Sequence, residues 1–118
     1  MKFLDLPARI LYGVPMMMSG FVHFSKPNII TRIVPDYFPM REIWVYVTGA
    51  AFILAGISII VNKKTKLSAF LLGAMLLIFA ITVHMDGFLK GNPLASSMFV
   101  KDMALSGAAF YIASKAPN

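Results

Sequence analysis

Residues 43–85 read IWVYVTGAAFILAGISIIVNKKTKLSAFLLGAMLLIFAITVHM, two long apolar runs on either side of a turn that contains three lysines. Neither run, about Ile43 to Val61 or about Leu67 to Met85, carries an acidic or basic side chain other than a histidine. A helix needs roughly 20 apolar residues to cross the hydrocarbon core of a bilayer. Both runs meet this length, and the short turn between them predicts two antiparallel membrane helices.

Two further apolar runs flank this pair, about Leu6 to Phe24 and about Leu94 to Ser114. Arg9 interrupts the start of the first run and no A-x-A cleavage site follows it, so we expect a retained helix rather than a signal peptide. The last run is more polar at its start. The four runs together predict one all-α domain over residues 1–118, an integral membrane four-helix bundle.

The composition supports a membrane location. Of 118 residues, 58% are hydrophobic and 14% are charged, whereas soluble domains usually carry about 25% charged residues. The absence of cysteine excludes disulfides, iron–sulfur clusters and thiolate-bound zinc. The net charge of +6 arises from basic residues between apolar runs, which favours anionic membrane lipids, and not nucleic acid, as the partner.

The distribution of charge predicts the orientation. The turn NKKTK at residues 62–66 concentrates three lysines, and short lysine-rich loops usually face the cytoplasm. Four of the five acidic residues fall on the other side of the predicted membrane. We therefore expect a multi-pass protein of the inner (plasma) membrane with both termini in the cytoplasm.

Small residues recur along the predicted spans. Helices in lipid associate through such residues because they allow the backbones to approach closely. We therefore expect tight packing at several glycines: Gly20, Gly49, Gly56, Gly73 and Gly107.

The loop after the first span contains a shorter apolar pattern. Between Pro27 and Pro35 the chain reads NIITRIV, with Ile29, Ile30, Ile33 and Val34 on one face of a helix. This pattern predicts a short interfacial helix between the first and second spans, lying over the end of the bundle.

Polar side chains gather at the non-cytoplasmic end of the predicted bundle. His23 and His84 each lie 17 residues into their runs, or roughly 26 Å along a helix. Ionisable residues inside a membrane usually face the bundle interior or a water-filled cavity. The candidate ligand-binding residues are His23, His84, Lys101, Asp102, Trp44 and Tyr46.

Three motifs resemble the DoxX and DoxX-like family of small four-helix membrane proteins. The first span ends in G-x-x-H-F at residues 20–24, and the second begins with W-x-Y-x-T-G at residues 44–49. The fourth contains F-x-K-x-x-A-x-x-G at residues 99–107. Their order and spacing carry the resemblance, which covers nearly the whole chain.

The resemblance implies a membrane protein associated with redox or detoxification systems, since one relative looks like a subunit of a thiosulfate:quinone oxidoreductase. His23 and Lys101 map onto recurrent family positions. The fold is similar to the core of quinone-linked thiol oxidoreductases, but this chain lacks their cysteines. Many relatives have a glutamate shortly after the second-helix glycine, whereas Gly49 is followed here by Ala50.

Several functions remain open at this stage. An apolar slot with a few polar groups suits a quinone or another lipid-soluble ligand, and a redox partner in or on the membrane would then be expected. Haem held by His23 and His84 is less favoured, because two histidines at one depth do not specify it. A metal site is disfavoured, since Asp86 and Asp102 are the only nearby carboxylates.

The alternative from a different class is a non-catalytic membrane assembly or interaction protein, with the polar residues holding the end of the bundle together. A homo-oligomer is compatible with either function. A transport unit is disfavoured because polar residues do not follow the full depth of the spans. No set of residues specifies a reaction, so the sequence leaves open whether the protein is an enzyme.

Overall fold

The computed structural model describes residues 2–34 and 36–118. Over these residues the chain is all-helical and contains no strand. A single 3₁₀ turn at Lys2–Leu4 precedes five helices. They are α1 (Asp5–Ser25), α2 (Pro27–Ile33), α3 (Arg41–Val61), α4 (Thr65–Leu89) and α5 (Pro93–Lys115).

The helices agree with the apolar runs. α1, α3, α4 and α5 each contain one of the four predicted spans, and α2 occupies the predicted interfacial segment, whose end at Pro35 lies outside the described residues. By length and composition, α3 and α4 are apolar enough to cross a membrane. A membrane location is therefore compatible with the structure.

Two glycine pairs bring α1 and α3 into close antiparallel contact. A Cβ atom added at Gly56 would lie 2.6 Å from the carbonyl oxygen of Gly13, and one added at Gly20 would lie 2.5 Å from that of Gly49. The pairs are seven residues apart on each helix, or roughly 10 Å. Both pairs therefore need glycine, as expected for Gly20, Gly49 and Gly56.

α4 and α5 form the second close pair. The Phe110 ring lies against Gly73, 3.0 Å from the position of an added Cβ. The buried Ser106 hydroxyl donates a 2.7 Å hydrogen bond to the Gly73 carbonyl. The expectation for Gly107 is wrong, because its side of α5 faces open space with no described atom within 4 Å.

The two pairs meet at the end where α1 and α4 begin, here called the lysine-rich end. Tyr12 on α1 donates a 2.7 Å hydrogen bond to the Leu105 carbonyl on α5. Ser68 on α4 donates one of 2.8 Å to Ser58 on α3. Buried apolar residues fill the space between the pairs: Met16, Phe52, Ala55, Ile59, Ala69, Leu72, Leu76, Ala109 and Ala113.

α2 lies at the opposite end, here called the histidine end. Arg41 at the start of α3 donates a 3.2 Å hydrogen bond to the carbonyl of Val34, just after α2, and also contacts Asp36 at 3.0 Å. These contacts connect Val34 and Asp36 to the start of α3. Of the predicted apolar face, Ile30 and Ile33 turn toward the space between the helix pairs, whereas Ile29 is half-exposed.

Candidate functional site

A cavity of about 740 Å³ separates the two helix pairs toward the histidine end. Its volume is typical of small-molecule sites, which span about 300–1,000 Å³. Most of the lining is apolar and comes from all five helices. The polar side chains on the lining are Ser19, His23, Thr48, His84, Lys101 and Asp102.

A change of helical geometry positions His84. Residues Ala80–His84 of α4 form a π-helical segment between two α-helical stretches. Such segments are rare and frequent at functional sites. Here the segment ends on a buried histidine whose side chain faces α5. The loop after α2 contacts the same segment, since the Tyr37 hydroxyl donates a 3.3 Å hydrogen bond to the Thr82 carbonyl.

His84 and Asp102 form a polar contact between α4 and α5, in addition to the hydrogen bond from Ser106 to Gly73. The Nε2 atom of His84 lies 3.3 Å from Oδ2 of Asp102, and the two side chains are only 11% and 13% exposed. A ring nitrogen and a carboxylate oxygen thus lie within ion-pair distance of each other. The two polar groups face each other in a poorly solvated place.

His23 lines the cavity from α1. Its Nδ1 atom lies 2.7 Å from the carbonyl oxygen of Ser19, one turn earlier. Because a carbonyl accepts and does not donate, Nδ1 carries the hydrogen and Nε2 remains for another partner. The ring also packs against Phe52 of α3, with ring centroids 5.4 Å apart. His23 is therefore held in place through one nitrogen.

Lys101 and Asp102 point in different directions, as neighbours on a helix do. Asp102 faces His84, whereas Lys101 is exposed and reaches the lining from its edge. The amine of Lys101 can therefore approach a molecule in the cavity without being buried.

The two aromatic candidates on α3 lie in different places. Trp44 lines the cavity, whereas the Tyr46 ring packs against Phe24 of α1 at 5.6 Å and lies outside the lining. Helical spacing explains the difference, because residues four apart share a face and residues two apart do not. Thr48 and Phe52 continue the face of Trp44, and Phe52 is a lining residue that the sequence interpretation missed. The same spacing could have found it.

The rim of the cavity is apolar on the side of α3 and α4. Val47, Leu71 and Ile78 line it and are more than half exposed. The cavity therefore opens sideways onto an apolar surface. Among residues 2–34 and 36–118, no group of three or more His, Cys, Asp or Glu side chains has the arrangement of a metal site.

Fold and site together define an all-helical protein with an apolar cavity whose ionisable side chains gather at one end. The chain belongs to the family described as Domain of unknown function (DUF8561), whose model matches residues 13–106. That range includes every cavity residue named above. No curated protein and no solved structure matches the chain. The resemblance to DoxX therefore stays a prediction.

Proposed function

We propose that this chain is a DoxX-like, multi-pass inner-membrane protein and a redox-associated subunit that binds a quinone or another lipid-soluble ligand. The observation that carries the proposal is the cavity of about 740 Å³, apolar along its length and polar at the histidine end. An apolar pocket with a few convergent polar groups is the usual form of a small-molecule site.

A four-span topology is part of this proposal. α1 and α5 have 21 and 23 residues, and roughly 20 are needed to span a bilayer. Both helices also expose large apolar side chains, among them Leu11, Phe21 and Val100. Extended apolar surface of this kind marks a membrane or a protein partner. In a bilayer these side chains would face lipid.

Arg9 on α1 and Asp102 on α5 have partners within the chain, which lowers the cost of placing these two charges in a membrane. Arg9 forms a 2.8 Å ion pair with Asp5 and also donates to the carbonyl oxygen of Ile60. On α5, Asp102 contacts His84. Paired and inward-facing charges are the kind that membrane helices tolerate.

The lateral opening favours a ligand that is dissolved in the membrane. Such a ligand would enter between α3 and α4 past Val47 and Ile78, with its polar head directed to the histidine end. There, Nε2 of His23 and the amine of Lys101 would hydrogen-bond a carbonyl or hydroxyl group. The His84–Asp102 pair would form the wall behind the head group.

The first test is the content of the purified protein. We expect protein purified in mild detergent to retain a lipid-soluble redox molecule, detected by absorption spectroscopy and by mass spectrometry of a solvent extract. A quinone at a stoichiometric amount supports the proposal. A colourless protein that carries only bulk phospholipid favours the alternative, an assembly or interaction protein.

A titration tests whether the cavity is the site. Trp44 is the single tryptophan of the chain and lines the cavity, so its fluorescence reports on an added quinone. We expect decylubiquinone to quench it in the wild type. Ala74→Leu fills the cavity and should abolish saturable quenching, whereas Ala108→Leu changes an exposed residue of α5 and should not.

Polar variants then identify the groups that hold the head. His23→Ala and Lys101→Met should weaken the binding of decylubiquinone while the thermal unfolding of the protein is little changed. Lys90→Met, which changes an exposed lysine outside the cavity lining, is the matched control. Unfolding of the His23 and Lys101 variants would show instead that these side chains hold the bundle together.

A further inference from the structure

The net charge of the chain is concentrated at the lysine-rich end. This end has six basic residues and one acid, a difference of +5, whereas the remainder has five basic and four acidic residues, a difference of +1. The single acid, Asp5, is already paired with Arg9. The basic residues at this end are Lys2, Arg9, Lys63, Lys64, Lys66 and Lys115.

A second, shallower groove of about 660 Å³ lies at this end, on the outer surface between α4 and α5. The rings of Phe70 and Phe110, whose centroids are 5.7 Å apart, form part of its lining. Leu67 continues the apolar surface and is more than half exposed. Lys64 and Lys66 line the groove beside these apolar residues. Apolar walls and two amines thus occur in one site.

We propose that this groove binds an anionic phospholipid. The headgroup phosphate would lie between Lys64 and Lys66, and an acyl chain would lie along Phe70 and Phe110. Basic pockets beside membrane helices are a known way of holding acidic headgroups. The inference rests on the membrane location in the proposed function, but not on the ligand of the cavity.

Charge argues against a second copy of the chain in this groove. A symmetric contact through the same surface would bring the lysines of both copies together at an end that already carries +5. Like charges that face each other in an interface are unfavourable. A lipid would bring a phosphate to the two lysines and an acyl chain to the apolar side chains of the groove.

Native mass spectrometry of the delipidated full chain tests the proposal with an equimolar mixture of phosphatidylglycerol and phosphatidylcholine. We expect the wild type to retain phosphatidylglycerol preferentially. A lysine near anionic lipid contributes a factor of about five, so the variant K64Q/K66Q should bind phosphatidylglycerol about 25-fold more weakly. The variant K63Q/K115Q removes the same charge at the same end, outside the groove lining, and should keep most of the preference.

A further variant separates the two parts of the site. Phe70→Gln changes a side chain that is 54% exposed, so it should fold normally. We expect it to weaken the retention of both lipids while the preference for phosphatidylglycerol persists. Equal lipid preference in K64Q/K66Q and K63Q/K115Q would overturn the proposal, because the charge of the whole end would then suffice. A dimer that binds no lipid would overturn it in favour of a second copy.

Failure of this site can be told apart from failure of the proposed function. Decylubiquinone quenching of Trp44, measured on the same preparations, should be unchanged in K64Q/K66Q because the groove and the cavity share no lining residue. A membrane-extracted protein with saturable quenching but no phosphatidylglycerol preference would overturn only the lipid site. A wild-type chain absent from the membrane fraction would overturn both.

Discussion

Gly56→Ala is expected to destabilise the protein through a contact between backbones. The added Cβ would lie 2.6 Å from the carbonyl oxygen of Gly13 and 2.6 Å from Cγ of Met17. Cβ atoms essentially never approach other atoms within 3.0 Å, so α1 and α3 would have to move apart. The methionine can change rotamer, but the carbonyl oxygen cannot.

The magnitude follows from two opposing effects. Overpacking costs typically about 1–3 kcal/mol. Replacing glycine by alanine within a helix returns up to about 1 kcal/mol through helix propensity. With the full return from propensity, the net loss should be about 0–2 kcal/mol, which at roughly 4 °C per kcal/mol lowers Tm by up to about 8 °C.

Gly107→Ala is the matched control, because it has the same change in propensity without the clash. An added Cβ at Gly107 has no described atom within 4 Å, so we expect Tm to stay the same or to rise by up to about 4 °C. The assay is thermal unfolding in one detergent, followed by circular dichroism at the helix band. If Gly56→Ala unfolds at or above the temperature of Gly107→Ala, the backbone contact is not where the structure places it.

A double variant tests the pairing itself. Gly13→Ala should also destabilise the chain, since its Cβ would lie 2.8 Å from the carbonyl oxygen of Gly56 and still closer to the Ile60 side chain. Both substitutions separate the same two helices at the same level. The double variant should therefore cost less than the sum of the single variants, as coupled neighbours do. Strict additivity would contradict a shared contact.

Three further predictions concern the pair formed by α4 and α5. Ser106→Ala removes the buried hydrogen bond to the Gly73 carbonyl and should lower the free energy of unfolding by about 1 kcal/mol in the same thermal assay. The control Ser114→Ala changes an exposed serine, and its free energy of unfolding should lie within about 0.5 kcal/mol of the wild-type value. Asn92 caps the start of α5, because its side chain accepts hydrogen bonds from the amides of Leu94 and Ala95. Asn92→Ala should lower the free energy of unfolding by about 1 kcal/mol in denaturant titrations, and Asn92→Ser should retain most of that stability. Asp102→Leu leaves the buried His84 without its partner and should cost about 1–3 kcal/mol, while Asp102→Asn should cost less; equal losses for the two would show that His84 does not need an acceptor.

The positions of the long helices could be predicted because the length of an apolar run is a local property. α3 and α4 begin within two residues of the predicted spans, and α5 begins within one. Which helices form the closest pairs is not local. In the sequence, Gly13 and the nearby Pro15 suggest a bend in the first helix. In the structure, Gly13 packs against Gly56, which lies 43 residues later in the chain.

For the candidate site, the sequence could predict only how far along its helix each residue lies. Counting residues along separate helices brings His23 and His84 to one end, and the structure places both on the same cavity. The count cannot show direction around each helix, so Tyr46 was included although it packs against Phe24. The π-helical segment Ala80–His84, which contacts α5, has no signature in its own residues.

The motifs G-x-x-H-F at residues 20–24 and W-x-Y-x-T-G at residues 44–49 contact each other in the structure. Gly20 and His23 are three residues apart and share a face of α1, and both contact α3 at Gly49. A Cβ added at Gly49 would lie 2.7 Å from the Cβ of His23. The glycine that lets the helices approach therefore also admits the histidine, whose ring then packs against Phe52, one turn further along α3. Close packing of α1 on α3 and the position of the cavity histidine therefore both depend on the absence of a side chain at Gly49.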